Sequence, residues 1–284
     1  MKRFGGRQLG LLVVALLLSG CRLASTPNRD FSLVIPVYDE AGLEAVLTLL
    51  KPHLSTSDRF MIVSGNTSGA VDTVWVNEAA RRLHAAYPSA PLYAATSGLT
   101  NVAVAAREVT TLVAAIVYVY EPNFPNQPEF SWDFTATLDR FGEARAHIAR
   151  GGFQAIGKPT GRPLLQTSLD SYNWNYGALA ETVDELFVQT QTYCKESPGE
   201  FAAALDTLAK QYGSRAALFP WTPQITIDPG APNGTTVAQA QACVVKARER
   251  GLSGAVLWWS PTFVEQAVAF IVALNETLGV QGSF

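Results

Sequence analysis

Hydrophobic residues along the chain fall into short, nearly continuous apolar runs that alternate with longer amphipathic stretches. Runs of this kind, rich in Val, Ile and aromatic residues, are typical of strands buried on both faces of a parallel sheet. The runs predict strands at 32–38, 59–65, 91–97, 114–120, 153–159, 186–193, 216–222 and 254–260.

Stretches with helical periodicity lie between the predicted strands. They cover 43–50, 71–83, 134–149, 176–184, 200–212, 237–250 and 263–278, and the β-branched residues of 102–112 suit either a helix or a strand. Repeated strand–helix units in a chain of this length predict an α/β fold, a single (β/α)8 TIM-type barrel over residues 31–280. An open doubly wound sheet is the alternative, but the even spacing of the units favours closure.

The beginning of the chain does not follow this pattern. Basic residues precede an apolar run at 9–18, and the segment ends in "LSGC", the arrangement of a bacterial lipoprotein signal. We therefore expect a signal peptide over 1–20 and a polar tether over 21–30 with a lipidated Cys21. Two or three acyl chains anchor a protein stably. The sequence thus predicts a lipoprotein of the cell envelope, anchored to a membrane outside the cytoplasm.

Composition and charge narrow the possible partners. The chain is 48% hydrophobic and 16% charged with a net charge of −3 and no basic block, so we expect a packed globular domain and no nucleic-acid partner. Cys194 and Cys243 could pair in an oxidising compartment, and two free thiols are the alternative. Neither the cysteines nor the histidines have the spacing of a metal site, and we expect no metal or cofactor.

Barrels of this class carry their sites at the carboxyl ends of the strands, and the residues expected there are rich in aromatic and amide side chains. Sugar rings stack their apolar faces on aromatic rings, and their hydroxyl groups pair with amides and carboxylates. We therefore predict a polysaccharide or other glycan ligand, although some of these aromatics could pack beneath the loops instead. The predicted substrate-binding residues are Tyr38, Asn66, Tyr120, Trp174, Gln191, Tyr193, Trp221 and Trp259.

Glu121 is the candidate general acid/base. It follows the apolar run of strand 4 and precedes Pro122. A carboxyl among apolar neighbours holds its proton tightly, as an acid for glycosidic cleavage must. We expect no carboxylate at the ends of strands 6, 7 and 8, so the second catalytic carboxylate is assigned to Asp39 or Asp170. The alternative for Glu121 is a salt-bridged or solvent-facing loop residue.

Several segments resemble known glycoside-hydrolase barrels. "IPVY", "FMIVSGNTSG" and "PLYAATSG" at the first three strands, with an acid ending the fourth, are similar to the spherulation-specific family 4 barrels. "GLSGAVLWWS" is similar to the last strand of chitinase-like barrels. The resemblance implies an extracellular hydrolase of amino-sugar polysaccharides. The chain departs from both patterns, because Tyr120 stands where the first has Asp, and Val117 and Val119 occupy carboxylate positions of the second.

Three functions follow as hypotheses. In the first, which we favour, Glu121 and a loop carboxylate hydrolyse a glycan. In the second, an N-acetyl group of the substrate replaces the nucleophile, and Tyr193 and Gln191 position it. In the third, the barrel has lost catalysis and binds a glycan or serves as a structural envelope lipoprotein. The fold alone does not decide among them.

Overall fold

Eight parallel strands close into a barrel, which confirms the predicted (β/α)8 fold. The structure, a computed structural model, describes residues 29–65, 69–122, 127–164, 174–218, 220–228 and 234–279. Each strand pairs with the next in the chain, and β1 pairs with β8. The strands are β1 (Ser32–Val37), β2 (Arg59–Val63), β3 (Leu92–Ser97), β4 (Ala115–Tyr120), β5 (Gln154–Pro159), β6 (Glu185–Val188), β7 (Trp221–Thr226) and β8 (Gly254–Trp258).

Helices surround the barrel and connect successive strands. They are α1 (Glu40–Ala45), α2 (Thr73–Ala86), α3 (Leu99–Glu108), α4 (Phe134–Arg150), α5 (Tyr176–Ala180), α6 (Gln191–Glu196), α7 (Pro198–Tyr212), α8 (Val237–Arg248) and α9 (Val264–Thr277). Short polar side chains cap the amino-terminal ends of most of these helices, because each accepts a hydrogen bond from a backbone N–H of the first turn. These caps are Asp39, Asp72, Asp133, Asn175, Ser197 and Thr236.

Alternation along the strands divides the apolar side chains into two layers. One cluster joins strand and helix residues, including Ile116, Tyr118 and Tyr120 of β4, and fills the space between the barrel and its helices. The other consists of strand residues such as Val117 and Val119, and fills the barrel interior. The next inward position of β4 is therefore Glu121, at the carboxyl end of the strand.

The opposite, amino-terminal end of the barrel is closed by charged residues. The Arg59 guanidinium lies over the rings of Tyr93 and Phe187, and its Nη1 lies 3.2 Å from Glu185 Oε2. Just before β1, the buried Arg29 pairs with the buried Asp58, whose Oδ1 also accepts the N–H of Leu33 at 2.8 Å. These contacts fix the start of the described chain to this end of the barrel.

The predicted boundaries are wrong at two strands. β6 ends at Val188, and the residues from Gln191 form helix α6 instead of continuing the strand to 193. β7 begins at Trp221, where the prediction had the strand almost finished. The β7 error moves Trp221 from the carboxyl end of the barrel to the amino-terminal end, whereas the β6 error turns the residues from Gln191 into a helix at the carboxyl end.

A disulfide joins the helix layer, and no membrane-spanning helix is found. Cys194 of α6 and Cys243 of α8 are bonded, with their Cα atoms 6.0 Å apart. None of the helices in the described residues is long and apolar enough to cross a membrane.

Candidate functional site at the mouth of the barrel

The carboxyl ends of the strands form a depression that we call the mouth. Its inward-facing side chains include Tyr38 after β1, Glu121 after β4, Lys158 of β5, Asp228 after β7 and Trp258 of β8. Tyr38, Glu121, Lys158 and Trp258 each lie an even number of residues after an interior residue of the same strand, so they point to the same side. Asp228 points inward because it alternates with Ile225 and Ile227, which face the helices. Strand geometry thus gathers two acids, one base and two aromatic rings at one end of the barrel.

The end of β4 is held rigidly, which fixes the position of Glu121. The Gln127 side chain returns to the strand end: its Nε2 donates to Val119 O at 2.6 Å, and its Oε1 accepts from Glu121 N at 2.8 Å. Gln127 is itself buried. The Glu121 carboxylate is 22% exposed, so it can be reached from the mouth.

Lys158 forms the floor of the mouth. Its side chain is 1% exposed, and its Nζ lies 3.6 Å from Glu121 Oε1 and 5.4 Å from the centroid of the Trp258 ring. Burial lowers the pKa of the Lys158 ammonium, and the Glu121 charge partly opposes that effect. The expectation that Glu121 has only apolar neighbours is therefore wrong, because a buried cation is its ion-pair partner.

Two carboxylates act on the Tyr38 hydroxyl. Burial raises the pKa of Tyr38, and the charges of Glu121 and Asp228 raise it further, in that order. The ring of Tyr38 packs on Trp258 with 4.9 Å between centroids. Glu121 and Asp228 both follow strands at the carboxyl end of the barrel, and their shared influence on Tyr38 agrees with their facing the same mouth. The expectation that no carboxylate follows strand 7 is wrong, and Asp228, which is buried, is the residue that sequence reasoning missed.

Several buried polar atoms near the mouth have no hydrogen-bond partner among the described residues. They are Tyr38 Oη, Gln191 Oε1 and Gln224 Oε1. Gln224 is an inward residue of β7, and the Gln191 Nε2 lies 3.5 Å from Gln189 Oε1. Unpaired buried polar atoms are costly, so these atoms favour a ligand rich in hydroxyl or N–H groups.

Three aromatic residues predicted to bind substrate lie elsewhere. Tyr120 and Trp174 face the helix layer, where the Tyr120 hydroxyl accepts the N–H of Ser131 at 2.8 Å. Trp259 also faces outward and donates from Nε1 to Pro36 O at 3.0 Å. Tyr120 and Trp259 are corrected because neighbouring strand residues point to opposite faces, and Trp174 is corrected because its ring packs near Tyr120 and Trp132. In β8 the residue at the mouth is therefore Trp258.

Two more assignments change with the strand boundaries or the local hydrogen bonds. Trp221 begins β7 and lies at the amino-terminal end of the barrel, against Tyr212. The Tyr193 hydroxyl donates to Gly161 O at 2.8 Å and thereby holds the segment after β5. Trp221 therefore lies away from the mouth, whereas Tyr193 lies in α6 just beyond the carboxyl end of β6 with its hydroxyl bound to the backbone.

The candidate second carboxylates have different outcomes. Asp39 follows β1, but it is exposed and its Oδ1 accepts the N–H of Gly42 at 2.8 Å as the cap of α1. Asp170, Asn66 and the lipidation candidate Cys21 lie outside the described residues. Within the described residues, no group of three or more His, Cys, Asp or Glu side chains could hold a metal ion.

Comparison with known proteins relates the fold to glycoside hydrolases. No protein-family model and no curated protein matches the chain. The glycoside hydrolase domain of PgaB (BpsB) from Bordetella bronchiseptica is similar, with a TM-score of 0.62 at 9% identity over 90% of this chain and 100% of that one. The catalytic domain of a family GH18 chitinase from the fern Peteris ryukyuensis has a TM-score of 0.58 at 14% identity, covering 87% and 100%. The spore cortex-lytic enzyme SleL of Bacillus cereus has a TM-score of 0.52 at 10% identity, covering 86% and 74%. The chain therefore shares the (β/α)8 barrel fold of these proteins.

Proposed function

We propose that the protein binds a polysaccharide at the mouth of the barrel and hydrolyses it with Glu121 and Asp228. The observation that carries this proposal is the pair of carboxylates, Glu121 and Asp228, that follow β4 and β7 at the same end of the closed barrel. Glycosidases use two such groups, one to protonate the leaving oxygen and the other as nucleophile or as base for water. Asp228 replaces Asp39 as the second carboxylate, because the carboxylate of Asp39 caps a helix.

The other residues of the mouth supply binding and orientation. The Trp258 and Tyr38 rings offer apolar faces to a sugar, and Gln191 and Gln224 offer unpaired carbonyl oxygens to its hydroxyl groups. Lys158 acts as a positioning residue, because its ammonium lies 3.6 Å from Glu121 Oε1 and holds that carboxylate at the mouth. Glu121 is the acid/base, and this role requires it to exchange a proton with the leaving oxygen during the reaction.

The substrate-assisted mechanism has less support. It depended on Tyr193 and Gln191 as positioning residues, and the inward residues that precede Glu121 on β4 are the apolar Val117 and Val119. The Tyr193 hydroxyl, proposed for positioning, donates to the backbone instead.

A glycan-binding protein without catalysis is the second candidate. It is favoured by the Lys158–Glu121 ion pair, because a paired carboxylate is a common structural element and need not transfer protons. Under this hypothesis the mouth binds the glycan and leaves it intact.

The experiment that separates the two is a screen against envelope and capsule polysaccharides that measures binding and cleavage independently. Wild type should cleave one of them, and Glu121→Gln and Asp228→Asn should each lose cleavage by about 100-fold or more while retaining binding. Glu265→Gln, a change at the first turn of α9, is the control and should leave both unchanged. Binding without cleavage in the wild type would contradict the hydrolase and favour the second candidate.

Anchoring at Cys21 is part of the proposal. It is supported by the lipoprotein-type signal, and the Cys194–Cys243 disulfide fits an oxidising compartment outside the cytoplasm. A Cys21→Ser variant should lose incorporation of a palmitate analogue and leave the membrane fraction. Recovery of that variant in the membrane fraction would contradict the anchor without affecting the assignment of the site.

A further inference from the structure

The described chain starts at the amino-terminal end of the barrel, opposite the mouth. Arg29 is held there by its ion pair with Asp58 and by a hydrogen bond from Nη1 to Asn275 Oδ1 of α9, 3.1 Å long. Cys21 precedes Arg29 by eight residues. Even fully extended, a segment of that length spans about 28 Å at most. An anchor at Cys21 therefore keeps this end of the barrel close to the membrane.

Exposed apolar side chains concentrate at the same end. Of the large apolar residues exposed in the described part of the chain, Leu49, Leu112, Leu218 and Val245 lie at the ends of helices or in the segments that enter strands, and Val74 alone lies toward the mouth. The three leucines precede β2, β4 and β7, on different sides of the barrel. The three leucines are therefore distributed around the amino-terminal end of the barrel and are not confined to one side.

Unpaired positive charge accompanies these apolar residues. Lys51 follows the first helical segment, Arg150 ends α4, and Lys210 lies in the last turn of α7. All three are exposed, and none has an acidic partner within the described residues. Trp221 is partly exposed at the same end. Basic and aromatic residues beside apolar ones are typical of surfaces that meet anionic lipid headgroups.

We propose that this basal face, defined by Leu49, Leu112, Leu218, Lys51, Arg150 and Lys210, docks on the anionic surface of the lipid bilayer. The inference rests on the proposed anchor for its tether, and on the described residues for the surface itself. Docking on the basal face directs the mouth away from the bilayer. The glycan that enters the mouth then lies in the polymer layer beyond the membrane and is not a membrane glycolipid.

The orientation can be measured with a fluorescent amino acid that is quenched by spin-labelled lipids. It replaces Leu218 in one variant and Val74 in a matched one, since these side chains are 75% and 79% exposed at opposite ends of the barrel. The full-length protein is mixed with vesicles of phosphatidylglycerol and phosphatidylcholine that carry the quencher. We expect quenching at position 218 to exceed that at position 74 several-fold.

Charge and apolar variants test which residues form the surface. Lys51→Glu combined with Lys210→Glu should reduce the quenching at 218 in phosphatidylglycerol vesicles several-fold, and should have a much smaller effect in pure phosphatidylcholine. Leu49→Asp should also reduce it. Equal quenching at both positions, or stronger quenching at 74, would overturn the proposal. Glu121→Gln should leave these signals unchanged, so a failed docking surface is distinguishable from a failed catalytic assignment.

Discussion

Asp39 lies at the mouth end of β1, but its carboxylate stabilises the fold. Its Oδ1 caps α1 through the N–H of Gly42. We expect Asp39→Ala to lower the free energy of unfolding by about 1 kcal/mol, and Asp39→Asn to lower it by only a few tenths, because Asn also caps helices. Urea unfolding measures this difference. Glycan cleavage should survive both changes, whereas loss of cleavage in Asp39→Asn would return Asp39 to the catalytic pair.

At the scale of one residue, Lys158 makes the stability of the folded protein depend on pH. Its pKa is lowered in the folded protein, so the buried ammonium costs stability at neutral pH. As pH rises through the folded pKa toward the unfolded value of about 10.4, the folded state loses this proton first and the cost disappears. The stability of the wild type relative to Lys158→Met should therefore increase between pH 7 and about pH 10 in urea unfolding.

The Lys158 prediction has an internal control. Arg stays protonated throughout this range and Met never carries a charge, so the stability difference between Lys158→Arg and Lys158→Met should not change with pH. If the stability of the wild type relative to Lys158→Met stays constant or falls as pH rises, Lys158 is not a buried ammonium whose pKa is lowered by the fold.

At the scale of one element, the apolar pattern located most strands but did not show which residues of a strand point into the barrel and which point toward the helices. β4 reads "AIVYVY" and is buried on both sides, so hydrophobicity alone does not distinguish inward from outward positions. The same ambiguity put Trp259 in the site in place of Trp258. Alternation does show that Tyr120 and Glu121 must point oppositely, and that signal was available from the sequence.

The boundary of β7 explains the largest error about the site. The apolar residues at 216–218 suggested an early strand, whereas a short helical turn over Gly213–Ala217 precedes β7. The strand itself contains the polar residues Thr222, Gln224 and Thr226. Polar side chains that point into the barrel weaken the apolar signal of the strand that carries them. Asp228 was therefore not among the predicted site residues, and Trp221 was placed at the wrong end of the strand.

The disulfide links two helices of the layer outside the barrel, and its contribution to stability can be measured. Cys194 and Cys243 close a loop of 49 residues between α6 and α8. By the chain-entropy relation, removing that link frees the unfolded chain and lowers stability by about 4 kcal/mol. We expect the double variant Cys194→Ser/Cys243→Ser to show a loss of this size in urea unfolding. Adding a reductant should lower the wild type to the level of the variant, and a wild type insensitive to the reductant would contradict the bond.

At the scale of the whole molecule, closure between the first and last strands makes the barrel depend on its amino-terminal end. Arg29, Asp58 and Asn275 join the chain before β1 to the segment before β2 and to the last helix. Arg29→Leu leaves the Asp58 carboxylate buried without its partner, so we expect a loss of about 3–5 kcal/mol in a single cooperative urea transition. Arg82→Leu, which removes ion pairs with the exposed Glu40 and Glu44, should cost about 1 kcal/mol or less. If the two variants lose similar amounts, or if Arg29→Leu unfolds in two steps, the amino-terminal end does not close the barrel as one unit.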